Sequence, residues 1–455
     1  MRGVPAHPRT ALLLGSAGSF LITLDILIVN LALPRMGAEL GATTGELQWI
    51  VDGYTLLFAA LLLSAGNAAD RFGAKQTFAV GIVLFGITSV LCTLAPTAVV
   101  LIVARCAQGV GAALMLPASM SLIRESFPDP AARARALGVW AAGGAVSTAV
   151  GPILGGLLTT WDWRLVFAIN IPVCVGMLLA LPRVARSTPR AVPFDAAGQA
   201  LGLIGLGGVL FGVIESGARG LGDVVVLSSL VIGCAAIGGF IAVQRRVAHP
   251  MMPLDLLAPR PMRIAILASF AFIFSWYGTV FLTTLYLQQR LGMPPLLAGL
   301  VFVPSALLAI VGNLISGPLA NRYAARAPVA VGLGSMTVGL VCGAVMISVG
   351  SAWLAVVVLM LVGAGGSIAM PPLAGVVLGT ADEDRAGIAS AALNTFRQVG
   401  GALAIAVFGA VIAGSAGFAA GTQISFTIAA ALALLATTAS LGLERSRRSD
   451  SLPTR

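Results

Sequence analysis

Fourteen long apolar runs, separated by short polar segments, pass through this 455-residue chain. They cover roughly 11–33, 47–68, 77–95, 98–120, 136–159, 165–182, 197–216, 222–243, 264–286, 297–319, 328–349, 353–377, 387–414 and 422–442. Each is near the length of about 20 residues that crosses a bilayer as a helix. Hydrocarbon offers no partner to a bare peptide group, so a spanning segment must satisfy its backbone internally. The expected fold class is therefore all-α, a polytopic membrane protein with fourteen transmembrane helices.

Composition excludes the main alternatives. Only 10% of residues are charged and 58% are hydrophobic, where a soluble domain carries roughly 25% charged residues. The net charge of +10 is spread over separate loops rather than one patch, so no nucleic-acid partner is expected. The first run is too long for a signal peptide and ends in no A-x-A site, so no cleavable leader is expected. Cys92, Cys106, Cys174, Cys234 and Cys342 all lie inside apolar runs without metal-ligand spacing. They read as small packing residues, and neither metal nor cofactor is expected.

Lys and Arg set orientation, because loops retained in the cytoplasm are enriched in them. With the N-terminus inside, 21 of them fall on the cytoplasmic side, including Arg2, Arg190 and Arg445, and 4 outside, namely Arg35, Arg164, Arg219 and Arg290. Both termini are expected in the cytoplasm and the chain in the cell membrane. The longest polar connections, about 183–196 and 244–263, flank runs seven and eight. The expected organisation is a six-helix bundle over 1–182, a linker with two additional helices over 183–263, a second bundle over 264–442 and a tail over 443–455. An internal repeat supports this division. Gly66 to Gly73 follows run two, and Gly317-Pro318-Leu319-Ala320-Asn321-Arg322-Tyr323 follows the second run of the second half. Parallel six-helix halves related by an axis along the membrane normal are a transporter architecture.

Three charges stand inside the first half: Asp25, Asp52 and Arg105. Each costs about 2.5–3.5 kcal/mol on insertion scales. At about 1.5 Å per residue, Asp25 lies about 12 Å, Asp52 about 7 Å and Arg105 about 10 Å from the outer ends of their runs. That common depth points to one polar cluster coupling protonation to function, with three unrelated packing groups as the alternative. Gly66, Asp70, Arg71, Gly73 and Lys75 form a tight charged turn. There Asp70 can accept from a neighbouring helix N-terminus, and Arg71 or Lys75 can pair with it or with anionic lipid headgroups, as a cytoplasmic latch or a simple charged anchor. Gly151-Pro152 with Gly155-Gly156 in run five suits a kinked, closely packed interface helix. Phe270, Phe272, Phe274, Trp276, Tyr277, Phe281 and Tyr286 of run nine either wall an apolar cavity or meet lipid. Arg397 in run thirteen is a substrate or gate contact, or bonds to backbone carbonyls. Asn30, Tyr54, Gln108, Trp276, Tyr277 and Arg397 are the candidate substrate-binding residues. His7 and His249 fall in loops, so no histidine relay is expected.

These motifs together resemble the major facilitator superfamily, in particular its fourteen-span drug:proton antiporters. Leu24-Asp25 through Asn30 to Pro34 is similar to that family's first-helix signature, and Gly66 to Lys75 to its loop motif. Arg105 with Gln108-Gly109-Val110-Gly111 is similar to its fourth-helix motif, tied to proton coupling. Gly151-Pro152 with Gly155-Gly156 is similar to its antiporter motif, and Trp163-Arg164 through Asn170-Ile171-Pro172 is also typical. Trp49 to Tyr54 and Gly73-Ala74-Lys75 look most like methylenomycin A resistance proteins and quaternary-ammonium exporters. The departures are Ser147, Ala68, Ala74 and Asn321, and the second half carries no intramembrane carboxylate. The resemblance implies a major facilitator fold with two extra helices, and proton-driven export of antibiotics or amphipathic drugs, cations among them. It implies a monomer whose partners are a small-molecule substrate, protons and the bilayer. Coupling would be direct competition, with deprotonated Asp25 and Asp52 favouring substrate. The competing functions are export of an endogenous metabolite and a non-transporting membrane receptor or scaffold. An enzyme is not expected, since no nucleophile–base pair or metal cluster is present.

Overall fold

Lipid forces the apolar runs into helices, and polar residues at their ends set where the helices start. In a computed structural model, which describes residues 8–189, 195–247, 249–382 and 385–443, fourteen spans follow one another. They are α1 (Pro8–Leu40), α2 (Thr44–Phe72), α3 (Ala74–Thr93), α4 (Ala98–Ser126), α5 (Pro130–Trp161), α6 (Leu165–Arg183) and α7 (Ala196–Arg219). Then come α8 (Val224–Gln244), α9 (Arg260–Arg290), α10 (Pro295–Ala320), α11 (Arg326–Val349), α12 (Ala352–Thr380), α13 (Ala386–Gly414) and α14 (Phe418–Ser440). No strand occurs among the described residues. The tail expected over 443–455 lies, from residue 444 on, outside the described residues, as do Arg2, His7 and Arg190.

Thr43, Thr97, Asp129, Asp195 and Asp223 each accept from a backbone N–H in the first turn of the helix that follows. They satisfy donors that the helix itself leaves unpaired. Thr43 and Glu46 do so reciprocally, with Thr43 N donating to Glu46 Oε2 at 2.8 Å. Gly73 joins α2 to α3 at φ +92°, a conformation that a side chain would strain.

Helices α1–α6 pack on one another, and α9–α14 do likewise. The inserted pair is placed asymmetrically. α8 rests on α7, whose Gly205, Gly208 and Gly212 receive Ile237, Gly233 and Leu230. α7 lies over the seam between α2 and α13, where Leu56, Leu210, Ile214, Ala402 and Ala406 share one apolar cluster. Gln199 of α7 donates to Ala60 O at 3.0 Å and accepts from the Ser64 hydroxyl.

The two sets of six are sealed together at the end of the molecule remote from the start of α1. Gln48 of α2 donates to Ile405 O at 3.1 Å and Ala406 O at 3.0 Å on α13. Gln288 of α9 donates to Leu31 O at 2.9 Å on α1. α5 is the closest contact. It carries Pro152 inside the helix, where the ring removes a backbone bond, and it bends by 42° just before that residue. A Cβ on Gly155 would stand 2.9 Å from Ile28 O of α1, and one on Gly156 2.5 Å from Pro295 O of α10. The carbonyl of Pro152 in turn packs on Gly299 of α10. The glycines of this motif therefore admit α1 on one side and the other half on the other.

Candidate functional site

Asp25 and Arg105 have no exposed surface, and they pair. Arg105 Nη1 donates to Asp25 Oδ2. Gln108 Nε2 and Asn170 Nδ2 donate to Asp25 Oδ1 at 3.2 and 2.9 Å. One carboxylate thus collects donors from α4 and α6. Arg105 also donates through Nε to Ile50 O at 3.0 Å and through Nη1 to Gln108 Oε1 at 2.7 Å. Its guanidinium lies 4.3 Å from the Tyr54 ring centroid, close enough for a cation–π contact. Ser89 Oγ of α3 accepts from Gln108 at 2.9 Å and from Asn170 at 3.4 Å. Four helices around α1 thus contribute to the network. A charge-assisted pair with added hydrogen bonds is the arrangement that offsets the desolvation of both ions.

Asp52 is not in this cluster, and the expectation of a single three-charge cluster is corrected on that point. It is fully buried, but its one side-chain donor is the Thr55 hydroxyl at 3.4 Å, and its Oδ2 has no partner. Asp52 stands one turn from Gln48 and one turn from Leu56, on one face of α2. Both of those residues meet α13, so Asp52 lies on the seam between the halves.

A cavity of about 300 Å³ lies between the halves. Trp276, Tyr277 and Arg397 line it together with Ile22, Ile26, Phe58, Trp140, Phe272, Asn313, Asn394 and Gln398. Of the seven aromatics expected on α9, Phe272, Trp276 and Tyr277 wall the cavity, and Phe270, Phe274, Phe281 and Tyr286 do not. Asn30, Tyr54 and Gln108 are not among the lining residues. Asn30 turns back to Ile26 O of its own helix at 2.9 Å; Tyr54 and Gln108 surround Arg105. Asp25 and Asp52 do not line the cavity either, so direct competition between substrate and proton for one carboxylate does not fit this conformation. The link is Tyr54, whose ring contacts Arg105 on one side and lies 5.9 Å from the ring of Phe58, a cavity residue, on the other.

The charged turn departs from expectation as well. Asp70 is exposed and makes no side-chain hydrogen bond or ion pair among the described residues. Arg71 lies over its neighbour Phe72, with 5.6 Å to the ring centroid. Lys75 donates through Nζ to Val184 O at 2.6 Å, and its backbone N–H donates to Ser187 Oγ at 3.0 Å. Ser187 Oγ donates in turn to Glu125 Oε2 at 2.6 Å. The turn is tied to the segment after α6 rather than closed on itself. A Cβ on Gly66 would meet only Pro117, at 4.0 Å.

The parts of this arrangement are two six-helix sets, a cavity between them, and a buried acid–guanidinium network in one set. A sequence profile of the Major Facilitator Superfamily matches residues 15–405. The chain belongs to the Major Facilitator Superfamily. It is 36% identical over 403 residues to the multidrug resistance protein Stp of Mycobacterium tuberculosis (strain CDC 1551 / Oshkosh), covering 87% of this chain and 74% of that one. It is 33% identical over 442 residues to the methylenomycin A resistance protein of Streptomyces coelicolor, covering 95% and 91%. Against the tetracenomycin C resistance and export protein of Streptomyces glaucescens it is 33% identical over 431 residues, covering 91% and 78%. Among solved structures it superposes on a D-xylose-proton symporter with a TM-score of 0.69 at 14% identity, covering 95% of this chain and 97% of that one. That similarity establishes the fold.

Sequence reasoning left Ser89 and Asn170 out of the site. Both are polar side chains inside apolar runs, which is the signal that singled out Asp25. Being neutral, they do not stand out against the many hydroxyls that bond to their own helix.

Proposed function

We propose that this superfamily member is a proton-coupled antiporter that exports antibiotic-like amphipathic molecules across the cytoplasmic membrane. The observation that carries this reading is the enclosed Asp25–Arg105 pair beside a cavity that it does not line. A protonatable group held apart from the substrate can exchange protons without the substrate being chemically altered. Similarity to resistance and export proteins supports export of drug-like molecules. The excess of Lys and Arg in the loops at the opposite end supports an outside position for the sealed end, and with it an inward-facing reading of this conformation. Residues 1–182 and 264–442 act as the two rocking halves, and α7–α8 cover one seam.

In the cycle, substrate enters the cavity from the cytoplasm while the Asp25 carboxylate is bound by Arg105, Gln108 and Asn170. Protonation removes the charge that holds Arg105. The guanidinium and the Tyr54 ring beneath it then rearrange, and that change reaches the cavity through Phe58. Asp52 offers a second proton site, its carboxylate having one long bond to Thr55 and one unpartnered oxygen. Each proton entering adds about 2.3 kcal/mol per 100 mV of membrane potential.

The test is efflux of a fluorescent antibiotic from cells, with and without a protonophore. Wild-type efflux should collapse with the protonophore, and Asp25→Asn and Asp52→Asn, expressed to the same level in the membrane, should each lose gradient-driven efflux. Full transport by Asp25→Asn sinks the assigned role.

A further inference from the structure

α13 brings one cation to the cavity, and nothing in the cavity neutralises it. Gly400 and Gly401 let α9 approach closely: Cβ atoms there would stand 2.8 Å from Phe270 O and 2.5 Å from Tyr277 Cδ2. Arg397 is one turn from Gly401 and therefore on the same face. It lines the cavity beside Trp276 and Tyr277. Of the five N–H donors of its guanidinium, one is engaged: Nη1 donates to Asn394 Oδ1 at 3.3 Å. Nε is buried and has no acceptor. No Asp or Glu occurs among the residues that line the cavity, and Arg397 takes part in no ion pair among the described residues.

We infer that the substrate class is anionic: an aromatic or apolar body carrying one carboxylate or similar oxyanion, docked on Arg397 with its rings against Trp276 and Tyr277. This rests on the cavity being the substrate site proposed above. A guanidinium with free donors matches a carboxylate bidentately. A quaternary ammonium would enter against a like charge. At roughly 6 Å, with an effective dielectric constant of about 20, that repulsion disfavours it about 100-fold. Aromatic faces attract cations too, but by only about 2- to 30-fold. The guanidinium outweighs the rings, so the charge preference runs toward anions.

Two probes that share a fluorophore separate the cases: dansylglycine, a carboxylate, and dansylcholine, a quaternary ammonium. Binding is measured with the full-length protein in phosphatidylcholine nanodiscs, whose lipid carries no net charge to compete for the arginine. Dansylglycine should bind at least about 10-fold more tightly than dansylcholine. Arg397→Gln should remove that preference, and Arg397→Lys should keep part of it. Trp276→Ala should weaken both probes, which lose the ring that packs on the fluorophore, and dansylcholine the more, because it also loses a cation–π contact. Equal or tighter binding of dansylcholine overturns the inference; so does a preference that survives Arg397→Gln, or no binding of either probe to the wild type. Protonophore-sensitive efflux is read separately. A pump that is coupled but prefers cations defeats this inference alone, and anion binding without coupled efflux defeats the antiport reading alone.

Discussion

Arg105 reaches from α4 to the carboxylate of Asp25 on α1, and neither side chain has any exposed surface. The same arginine makes no bond to the Asp52 side chain, although it donates to the carbonyl of Ile50, two residues away on α2. The two buried acids of the first half are therefore held differently. Asp25 is ringed by donors, and Asp52 is nearly bare.

That difference predicts unequal costs. Removing one member of a buried pair strands the other, which destabilises by about 3–5 kcal/mol. Arg105→Met should lower the melting temperature of the purified protein strongly. The double variant Arg105→Met with Asp25→Leu should recover a large part of the loss. Asp52→Asn gives up only a long bond to Thr55 and should cost about 1 kcal/mol or less. Additive losses in the double variant would contradict the pairing.

The glycines of α5 predict a conformational shift. A methyl at Gly156 meets Pro295 O of the other half, while a methyl at Gly155 meets Ile28 O within the same half. Gly156→Ala should therefore push the sealed end open, and Gly155→Ala should instead destabilise the first half by about 1–3 kcal/mol through overpacking. Spin labels at Trp161→Cys and Leu297→Cys, both exposed positions, report the separation of the halves. The distance should lengthen in Gly156→Ala and stay unchanged in Gly155→Ala.

Outside the membrane, Arg385 donates to Asp255 in the connection between α8 and α9, and this bond holds the Asp255 carboxyl below its ordinary value of 3.8. A depressed folded-state value means that the pair stabilises the protein above the unfolded value and stops doing so as pH falls through the folded one. Both side chains are largely exposed, so the effect is small. Asp255→Asn should lower the melting temperature slightly at pH 7, and the difference should shrink as pH falls below 3.8. A difference that does not shrink with falling pH would assign the effect to something other than the ion pair.

The charged turn shows how far local sequence reasoning reaches. Asp70, Arg71 and Lys75 are close in sequence and were expected to pair. In this conformation Lys75 goes to Val184 instead, a residue more than a hundred positions later. Local spacing identifies which groups can meet, but a flexible lysine takes the acceptor that the fold brings to it. The aromatic run of α9 makes the same point, since its Tyr277 ring packs on Gly401 of α13 and its Trp276 ring on Gly363 of α12, both far away in sequence.

The number and order of the spans, and the presence of costly charges in the first half, were determined by the amino-acid sequence alone. Lipid leaves an apolar run of about 20 residues no alternative to a helix, and rise per residue converts position into depth. Which acid received Arg105, that Ser89 and Asn170 completed its network, and that Arg397 stood unneutralised beside the aromatic wall were decided only by tertiary structure. Depth follows from counting along one helix; partnership depends on which helices lie side by side and how each is rotated, and that is set by close packing between residues far apart in the chain.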